Sequence, residues 1–466
     1  MKPLMLVDIV GTIDGMVLTG AENQKVTDVA VSRKQMRNNI LYFHVRQSKD
    51  RFLLRRLQRL QQVVVVTDKP ERFERIKHKL TLIQVRSVGV AFKKFVHYYR
   101  LLFHIPIFGI TGTNGKSTTK EMITYLLSKD RNVVSTYKSR NGLKQSLRYL
   151  LNIGDETDAA VIEMGVKYPG NLAYNCQLFK PQVRVILNIE VNHTRDIKTM
   201  DNYIRAKGEI LEGFDYQNHK LIINADDENT QKLNLTRVKN LITVGKKSDA
   251  DYRAEEIRYV GNGMSFTLMH KGNRHAAYVP GYGEHTVYNA LAAIASVCQI
   301  GISIEEAIKR LASFRHIEKH LEFCKGLKGS TIIDDTWNCT PSAIRAALEV
   351  LKEVSNGRKK VLVIGHMPAI ARDPFGMDQY KKIAKIIFKA NVDRLIVAET
   401  RAREFGEKAI EHGMDPRKVI YCTSASEVFE VVNRLIDQKT MVLLKYSLKY
   451  MPPSYKSVRG NLVLNL

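Results

Sequence analysis

The chain has no run of 18 apolar residues, and it shows no charged N-terminal segment leading into an apolar stretch and a cleavage site. Neither a membrane-spanning helix nor a secretory leader is expected, which places the protein in the cytosol. Its five cysteines, Cys176, Cys298, Cys324, Cys339 and Cys422, stand far apart with no C-x-x-C pair. That spacing argues against a zinc knuckle and a disulfide framework and leaves reduced, mostly buried thiols. There is no aromatic-rich RNA-binding signature and no recognition helix, so a nucleic-acid partner is not expected. No internal repeat and no low-complexity linker interrupts the chain.

What is present is ordinary globular sequence, and a great deal of it. At 466 residues with 44% hydrophobic content, the chain exceeds a single core, and a size of about 150 residues per domain predicts about three. The formal net charge of +26 suits nucleic acid, an anionic surface or acidic small substrates. Residues 1–105 hold 20 Lys/Arg against 8 Asp/Glu, so under a quarter of the chain carries +12 of that charge. Within it, Leu53, Leu54, Leu57 and Leu60 interleave with Arg55, Arg56 and Arg59 at helical spacing, which reads as a solvated basic helix face.

From residue 105 onward, apolar strand-like runs alternate with amphipathic helical stretches, the pattern of a parallel sheet wound with helices on both faces. Strands are expected at 133–135, 159–163, 183–189 and 220–223. Short β segments with Gly-Asn-Gly and Lys-Gly-Asn turns follow over 252–278, then a helix from Gly283 through 288–297. A second α/β unit is expected to contain strands at 331–333, 360–364, 394–398 and 440–444 and a helix over 341–354. The fold class is thus α/β in three domains: a small basic α/β N-terminal domain (1–104), a central parallel-sheet domain (105–317), and a Rossmann-like α/β C-terminal domain (318–466).

The strongest chemical signal is the run from Gly109 to Lys120, Gly-Ile-Thr-Gly-Thr-Asn-Gly-Lys-Ser-Thr-Thr-Lys, directly after an apolar strand. Glycines at 109, 112 and 115 let backbone N–H groups turn inward around phosphate oxygens at a helix start. Lys116 can reach the terminal phosphates of ATP and the Ser117 hydroxyl can hold Mg²⁺. The nucleotide-binding stretch is therefore Gly112, Thr113, Asn114, Gly115, Lys116, Ser117 and Thr118. Five residues separate Gly109 from Gly115, so the spacing departs from the commonest phosphate-loop pattern. Glu163 ends an apolar strand, where an open parallel sheet binds its ligands, and suits a Mg²⁺ site. His193 lies just past another strand and can reach the same crevice. Lys207 taken alone reads as a solvated helix lysine.

Together, the phosphate loop, Glu163-Met-Gly, the stretch from Asn188 to His193, Ala206-Lys207-Gly-Glu-Ile, the run from His285 to Asn289 and Asp334-Asp335-Thr-Trp-Asn338 resemble the Mur ligase family. Within it they point to the branch that adds D-alanyl-D-alanine. The resemblance covers the central and C-terminal domains, and Val31-Ser-Arg33 suggests a diverged form of that branch's N-terminal domain. It implies a ligase that uses ATP and two Mg²⁺ ions to join a carboxylate to an amine through an acyl phosphate. Lys207 matches the family lysine that CO₂ carbamylates into an anionic ligand for the second metal. Glu163 and Ser117 match ligands of the first metal, and His193 matches a contributor near the second. Asn289 matches the residue that holds adenine, while Asp335 and Asn338 match the C-terminal motif at the ribose.

The chain also departs from that pattern. His320, in Lys319-His320-Leu321-Glu322, stands where the family has a phosphate-contacting Arg, and His offers no bidentate fork; Lys319 is a candidate substitute. The N-terminal elements that normally recognise a UDP-sugar are replaced, in part by the basic stretch 47–59. Residues 365–370 and 445–447 differ where the family positions the incoming amine. The expected partners are an anionic carboxylate substrate and an amino acid or peptide amine, acting on a monomer. Two further readings remain at this point. One is a true D-alanyl-D-alanine-adding ligase of peptidoglycan synthesis. The other is a nucleotide-dependent regulatory module that binds nucleic acid or an anionic surface.

Overall fold

The structure is a computed structural model describing residues 1–464 except 46–49, 193–196, 198 and 248, with backbone alone at 50, 51, 143 and 144. The chain forms two compact units. One comprises residues 1–107, 130–161 and 174–181, and the other residues 108–129, 162–173 and 182–466.

The first unit is built on a five-stranded sheet in the order Met16–Thr19, Thr81–Gln84, Val63–Thr67, Ile40–Phe43, Asp28–Ala30. All neighbours are parallel except the first pair. The run Val63 to Val66 is buried throughout, as a strand covered on both faces requires. The helix Asp50–Leu57 turns Leu53 and Leu57 into this core and leaves Arg55 and Arg56 exposed, so the basic helix face is solvated. Asp28 is buried and charge-balanced by Arg37 and by Arg148 Nη1, 2.7 Å away. The Tyr99 hydroxyl donates to Ile153 O at 2.7 Å, and Arg100 Nε to Phe179 O at 2.5 Å, tying the helix Val88–Leu101 to the rest of the unit.

In the second unit, the strand Ile107–Thr111 pairs in parallel with Val183–Ile186, followed by Lys220–Asn224, Leu241–Gly245 and Tyr252–Val260. The antiparallel strands Gly263–His270 and Asn273–Pro280 complete this side. The expected strand over 183–189 is shorter: it ends at Ile186, and Leu187 and Ile189 are buried beneath the phosphate loop region rather than paired in a longer strand. The helix Glu284–Cys298 is apolar nearly all round and buried along most of its length, as a helix enclosed by the core must be.

Residues 322–445 contain a six-stranded sheet in the order Glu322–Lys325, Thr331–Asp334, Thr440–Lys445, Lys359–Ile364, Arg394–Val397, Val419–Tyr421. Only the first pair is antiparallel. Alternate strand residues feed two cores. Ile333, Leu362, Ile364, Leu395 and Leu443 meet the helices Pro341–Val354, Pro374–Lys389 and Arg403–Glu411. Ile332, Val361, Val363, Ile396 and Val442 meet Ala425–Leu435 and Tyr455–Leu462 on the other face. The helix expected at 341–354 has those bounds because Thr340 caps Ala343 N and Pro341 occupies the first helical position. The five cysteines form no disulfide among the described residues, and Cys176, Cys339 and Cys422 are buried.

Candidate active site

The buried strand Ile107–Thr111 delivers the loop 112–115 to the start of the helix Lys116–Leu127. Gly115 sits at φ 81° in the left-handed region, where only glycine is free of strain. A Cβ there would also overlap Asn289 Oδ1, with Leu187 Cδ1 3.2 Å away. The loop is held by Asn188 rather than by its own turns. Asn188 Oδ1 accepts from Thr113 N at 3.1 Å and Asn114 N at 2.9 Å, and its Nδ2 donates to Asn114 O at 3.2 Å. Thr113 Oγ1 accepts from Glu190 N at 2.9 Å and donates to Glu190 O at 3.1 Å. Asn188 is the member of this site that sequence reasoning undervalued, since it appeared only as the start of a matched stretch.

Around the loop, Ser117 Oγ donates to Glu163 Oε2 at 2.9 Å, and Glu163 is buried at the end of its strand. Lys116 Nζ donates to Gly112 O and Thr113 O, each at 2.9 Å. Lys207, on the helix Met200–Gly208, is only 1% exposed. Its Nζ reaches Gly112 O at 2.7 Å and Thr111 Oγ1 at 3.2 Å and lies 5.4 Å from the centre of the Tyr203 ring. The solvated-lysine reading of this residue in isolation is thus overturned. Burial lowers the Lys207 pKa well below the ordinary lysine value, the charge on Lys116 lowers it further, and Glu163 opposes both. Burial also lowers the Lys116 pKa, again against Glu163. Two lysine amines near a single carboxylate leave the site short of negative charge, which a polyphosphate supplies.

Ser117 and Glu163 are hard oxygen donors. Such donors suit Mg²⁺, which completes its shell with waters and substrate phosphates. His193 lies outside the described residues. Thr118 and Asn289 are both buried, and Asn289 Oδ1 accepts from Thr119 Oγ1 at 3.3 Å.

The loop also touches the C-terminal sheet. Asn114 Nδ2 donates to Ser342 Oγ at 2.5 Å, while its Oδ1 accepts from Asn338 Nδ2 and Thr340 Oγ1, both at 3.2 Å. Arg345 pairs with Glu190 at 2.6 Å. Asp334 is engaged by Thr336 and Arg459, whereas Asp335 pairs with the fully buried Lys445 at 2.5 Å, whose Nζ also donates to Asn338 O at 2.8 Å. Lys445 was legible only as an altered loop. Three histidines adjoin this pair. Burial lowers the pKa of His285, to about 4, and those of His316 and His320. His320 is half-buried, bonds Glu318 O through Nδ1 at 2.9 Å and stacks on Trp337. The ring is therefore held toward its neutral form at the position where the resemblance leads us to expect an arginine. Lys319 meets Glu322 through its backbone N–H at 3.0 Å, and the buried cation beside Asp335 is Lys445.

In the first unit, a separate groove of about 560 Å³ is lined by Arg33, Phe52, Arg55, Arg56, Arg59 and Leu60. Arg33 lies over the Phe52 ring at 5.5 Å.

Residues 110–297 match the Mur ligase middle domain, and residues 321–447 match the Mur ligase, glutamate ligase domain. The UDP-N-acetylmuramoyl-tripeptide–D-alanyl-D-alanine ligase of Bacillus subtilis (strain 168) is 28% identical over 368 residues, 78% of each chain. Among solved structures, MurF from Acinetobacter baumannii superposes with a TM-score of 0.83 at 21% identity over 98% of this chain and 99% of that one. The MurF ligase of Thermotoga maritima in complex with ADP gives 0.78 at 20% identity, over 94% and 98%. With the two domain matches falling on the loop, carboxylate and lysines already assembled around the phosphate site, the chain belongs to the Mur ligase family.

Proposed function

We propose that this chain is an ATP- and Mg²⁺-dependent ligase that joins a carboxylate to an amine through an acyl phosphate. The observation that carries the reading is the convergence of Lys116 and Lys207 on the phosphate loop beside the Ser117–Glu163 pair. The triphosphate lies along the backbone of residues 112–118, with Lys116 on its terminal oxygens. Ser117 and Glu163 would hold Mg²⁺, which would supply neutralisation of the charge on the γ-phosphoryl group. Asn289 holds the base, and Asp335 and Asn338 the ribose side. The substrate carboxylate attacks the γ-phosphorus and ADP leaves. The amine then attacks the acyl carbon and phosphate departs, a far better leaving group than carboxylate oxygen.

The lowered Lys207 pKa favours the neutral amine, the form that adds CO₂. A Lys207 carbamate would turn a cation into an anionic ligand for a second Mg²⁺, to which the sequence match also assigns His193. The relatives' name supplies the first substrate pair to test, UDP-N-acetylmuramoyl tripeptide with D-alanyl-D-alanine. The arginine-lined groove supports an acid with negative charge beyond the reacting carboxylate, and the altered loops 365–370 and 445–447 support an amine other than D-alanyl-D-alanine. We place the reaction in the cytoplasm, carried out by a monomer; no helix among the described residues is long and apolar enough to cross a membrane.

The test is phosphate release with mass detection of amide product, using UDP-muramoyl peptides beside free amino acids and short peptides. Phosphate release should require an acid, and the product should have the mass of acid plus amine minus water. ATP hydrolysis indifferent to every acid would overturn the ligase reading in favour of a nucleotide-dependent binding module. Such a module would bind nucleic acid with an affinity falling steeply with salt.

A further inference from the structure

The carboxyl edge of the C-terminal sheet carries a second set of chemistry-bearing side chains. The parallel strands Thr331–Asp334, Thr440–Lys445, Lys359–Ile364 and Arg394–Val397 end side by side. At or just past their ends stand Asp335, Lys445, His366 and Glu399. After Lys445 the chain leaves toward the face covered by the helix Tyr455–Leu462. After the two flanking strands it leaves toward the opposite face, into Pro341–Val354 and Pro374–Lys389. Loops that diverge in this way open a ligand crevice at the carboxyl ends of parallel strands, with Lys445 and His366 on its two banks.

The crevice adjoins the site above. Gly365 N donates to Lys445 O at 3.0 Å. Cys339 Sγ lies 3.6 Å from Gly365 O and 3.8 Å from Lys445 O, and its neighbour Asn338 reaches Asn114 of the phosphate loop. His366 is 6% exposed and its Nδ1 bonds the Glu399 carboxylate. Glu399 also accepts the His366 backbone N–H at 3.3 Å and Arg401 Nε at 3.0 Å. With Nδ1–H committed to Glu399, the lone pair lies on Nε2, which has no hydrogen-bond partner among the described residues. The other titratable groups around it are Tyr380, whose hydroxyl accepts Met367 N–H at 3.1 Å, Cys339, Lys445, Asp335 and Arg401.

We propose that His366 takes the proton from the incoming amine, with Glu399 as its positioning residue. This rests on the ligase reading. The amine lone pair forms the C–N bond to the acyl carbon, the C–O bond to phosphate breaks, and phosphate leaves with that electron pair. The amine arrives largely as an ammonium ion; its first proton passes to His366 Nε2, freeing that lone pair, and then to water, with Glu399 stabilising the intervening imidazolium, while the second proton, lost by nitrogen once the C–N bond has formed, leaves with phosphate. The preceding phosphoryl transfer needs no base, because its nucleophile is already a carboxylate.

The two steps can be separated with hydroxylamine, a nucleophile that is largely unprotonated at neutral pH. Full-length wild type, His366→Asn and Glu399→Gln are compared with ATP, Mg²⁺ and UDP-N-acetylmuramoyl tripeptide, or whichever panel acid releases phosphate. Each receives either the amine or hydroxylamine, and amide and hydroxamate are measured. A positioned base contributes about a hundredfold or more, so His366→Asn should lose at least that in amide kcat. Glu399→Gln should lose about tenfold, since the ring keeps its place but not its charge support. KM for ATP and acid should hold, and hydroxamate formation should stay within about twofold in both, which also shows the variants are folded. Amide and hydroxamate falling together, or amide undiminished, overturns the proposal while the ligase reading stands. Wild type that releases phosphate with no acid overturns that reading, and this inference with it.

Discussion

Asn188 offers a sharp test of how the phosphate loop is held, because its two natural replacements remove different things. Its Oδ1 accepts two loop N–H groups and its Nδ2 donates to Asn114 O. Thr113 N also donates to Asn188 O at 2.8 Å, so truncation to alanine orphans chiefly Asn114 N–H. A buried donor left without a partner costs about 1–3 kcal/mol, and Asn188→Ala should lose about that much stability in urea unfolding. Asn188→Asp keeps the acceptor and loses only the weaker donor bond, so its apo stability should fall by under about 1 kcal/mol. It places a carboxylate among backbone groups that cradle phosphate. A like charge some 4–8 Å away costs about 2–4 kcal/mol at an effective dielectric of about 20, which corresponds to about 30- to 1000-fold in affinity. Calorimetric titration with ADP and Mg²⁺ reads this directly. Near-native stability with ADP affinity unchanged in Asn188→Asp would refute the placement of phosphate at this loop.

Gly115→Ala should cost about 1–3 kcal/mol for the left-handed conformation, with a larger loss of ADP affinity because the new Cβ displaces Asn289; wild-type melting and binding would contradict the loop geometry. Lys207→Ala should abolish acid-dependent phosphate release, with partial rescue by short-chain acids or bicarbonate, and full activity would remove the carbamate proposal. His285 takes up its proton near pH 4 when folded and near its ordinary 6.5 when unfolded. Between those values the unfolded chain holds more protons, so stability present above about pH 6.5 is lost as pH falls toward 4. Urea unfolding at pH 6.5 and 4.5 should show wild type losing about 2 kcal/mol more than His285→Gln; equal losses would refute the burial argument. Charge reversal at Arg55 and Arg59 should raise KM for the acid and leave ADP affinity alone; an unchanged KM would remove the groove from substrate binding.

The features legible in the sequence are those that local backbone physics imposes. Gly115 must be glycine because of its φ, Pro341 opens its helix because Thr340 caps it, and the glycine-lysine-serine run announces phosphate. Lys207 was different. Nothing in its neighbours along the chain distinguishes it from a solvated lysine, and only the family pattern pointed inward to the position the structure shows. Asn188 meets Asn114 across a sequence separation of 74, and His366 meets Glu399 across one of 33. Both meetings are created by strand order, which periodicity does not encode. The overlong strand at 183–189 has the same origin, since Leu187 and Ile189 are buried and burial reads as strand continuation when pairing cannot be seen.

The two halves of the proposed reaction use different sheet edges. Phosphoryl transfer belongs to the end of Ile107–Thr111, and amine attack to the ends of Lys359–Ile364 and Thr440–Lys445. What joins them at the phosphate loop is polar and short: three side-chain hydrogen bonds to Asn114 and the Arg345–Glu190 pair, beside the Tyr282–Phe323 ring contact. Neutral hydrogen bonds net about 0.5–1.5 kcal/mol each and an exposed ion pair adds about 1 or less, so these polar contacts are worth only a few kcal/mol, added to the packing of Val191 and Tyr282 against the C-terminal core. A ligand spanning both edges shifts the junction by its differential affinity for the joined state, and a nucleotide held as proposed, by the loop on one side and by Asp335 and Asn338 on the other, would be such a ligand. Asn114 is bonded to Asn188 through its backbone and to Asn338 through its side chain. On the proposed mechanism, Asn114 would couple the seating of phosphate to the assembly of the amine crevice, so that the acyl phosphate would form where its nucleophile's proton acceptor is already in place.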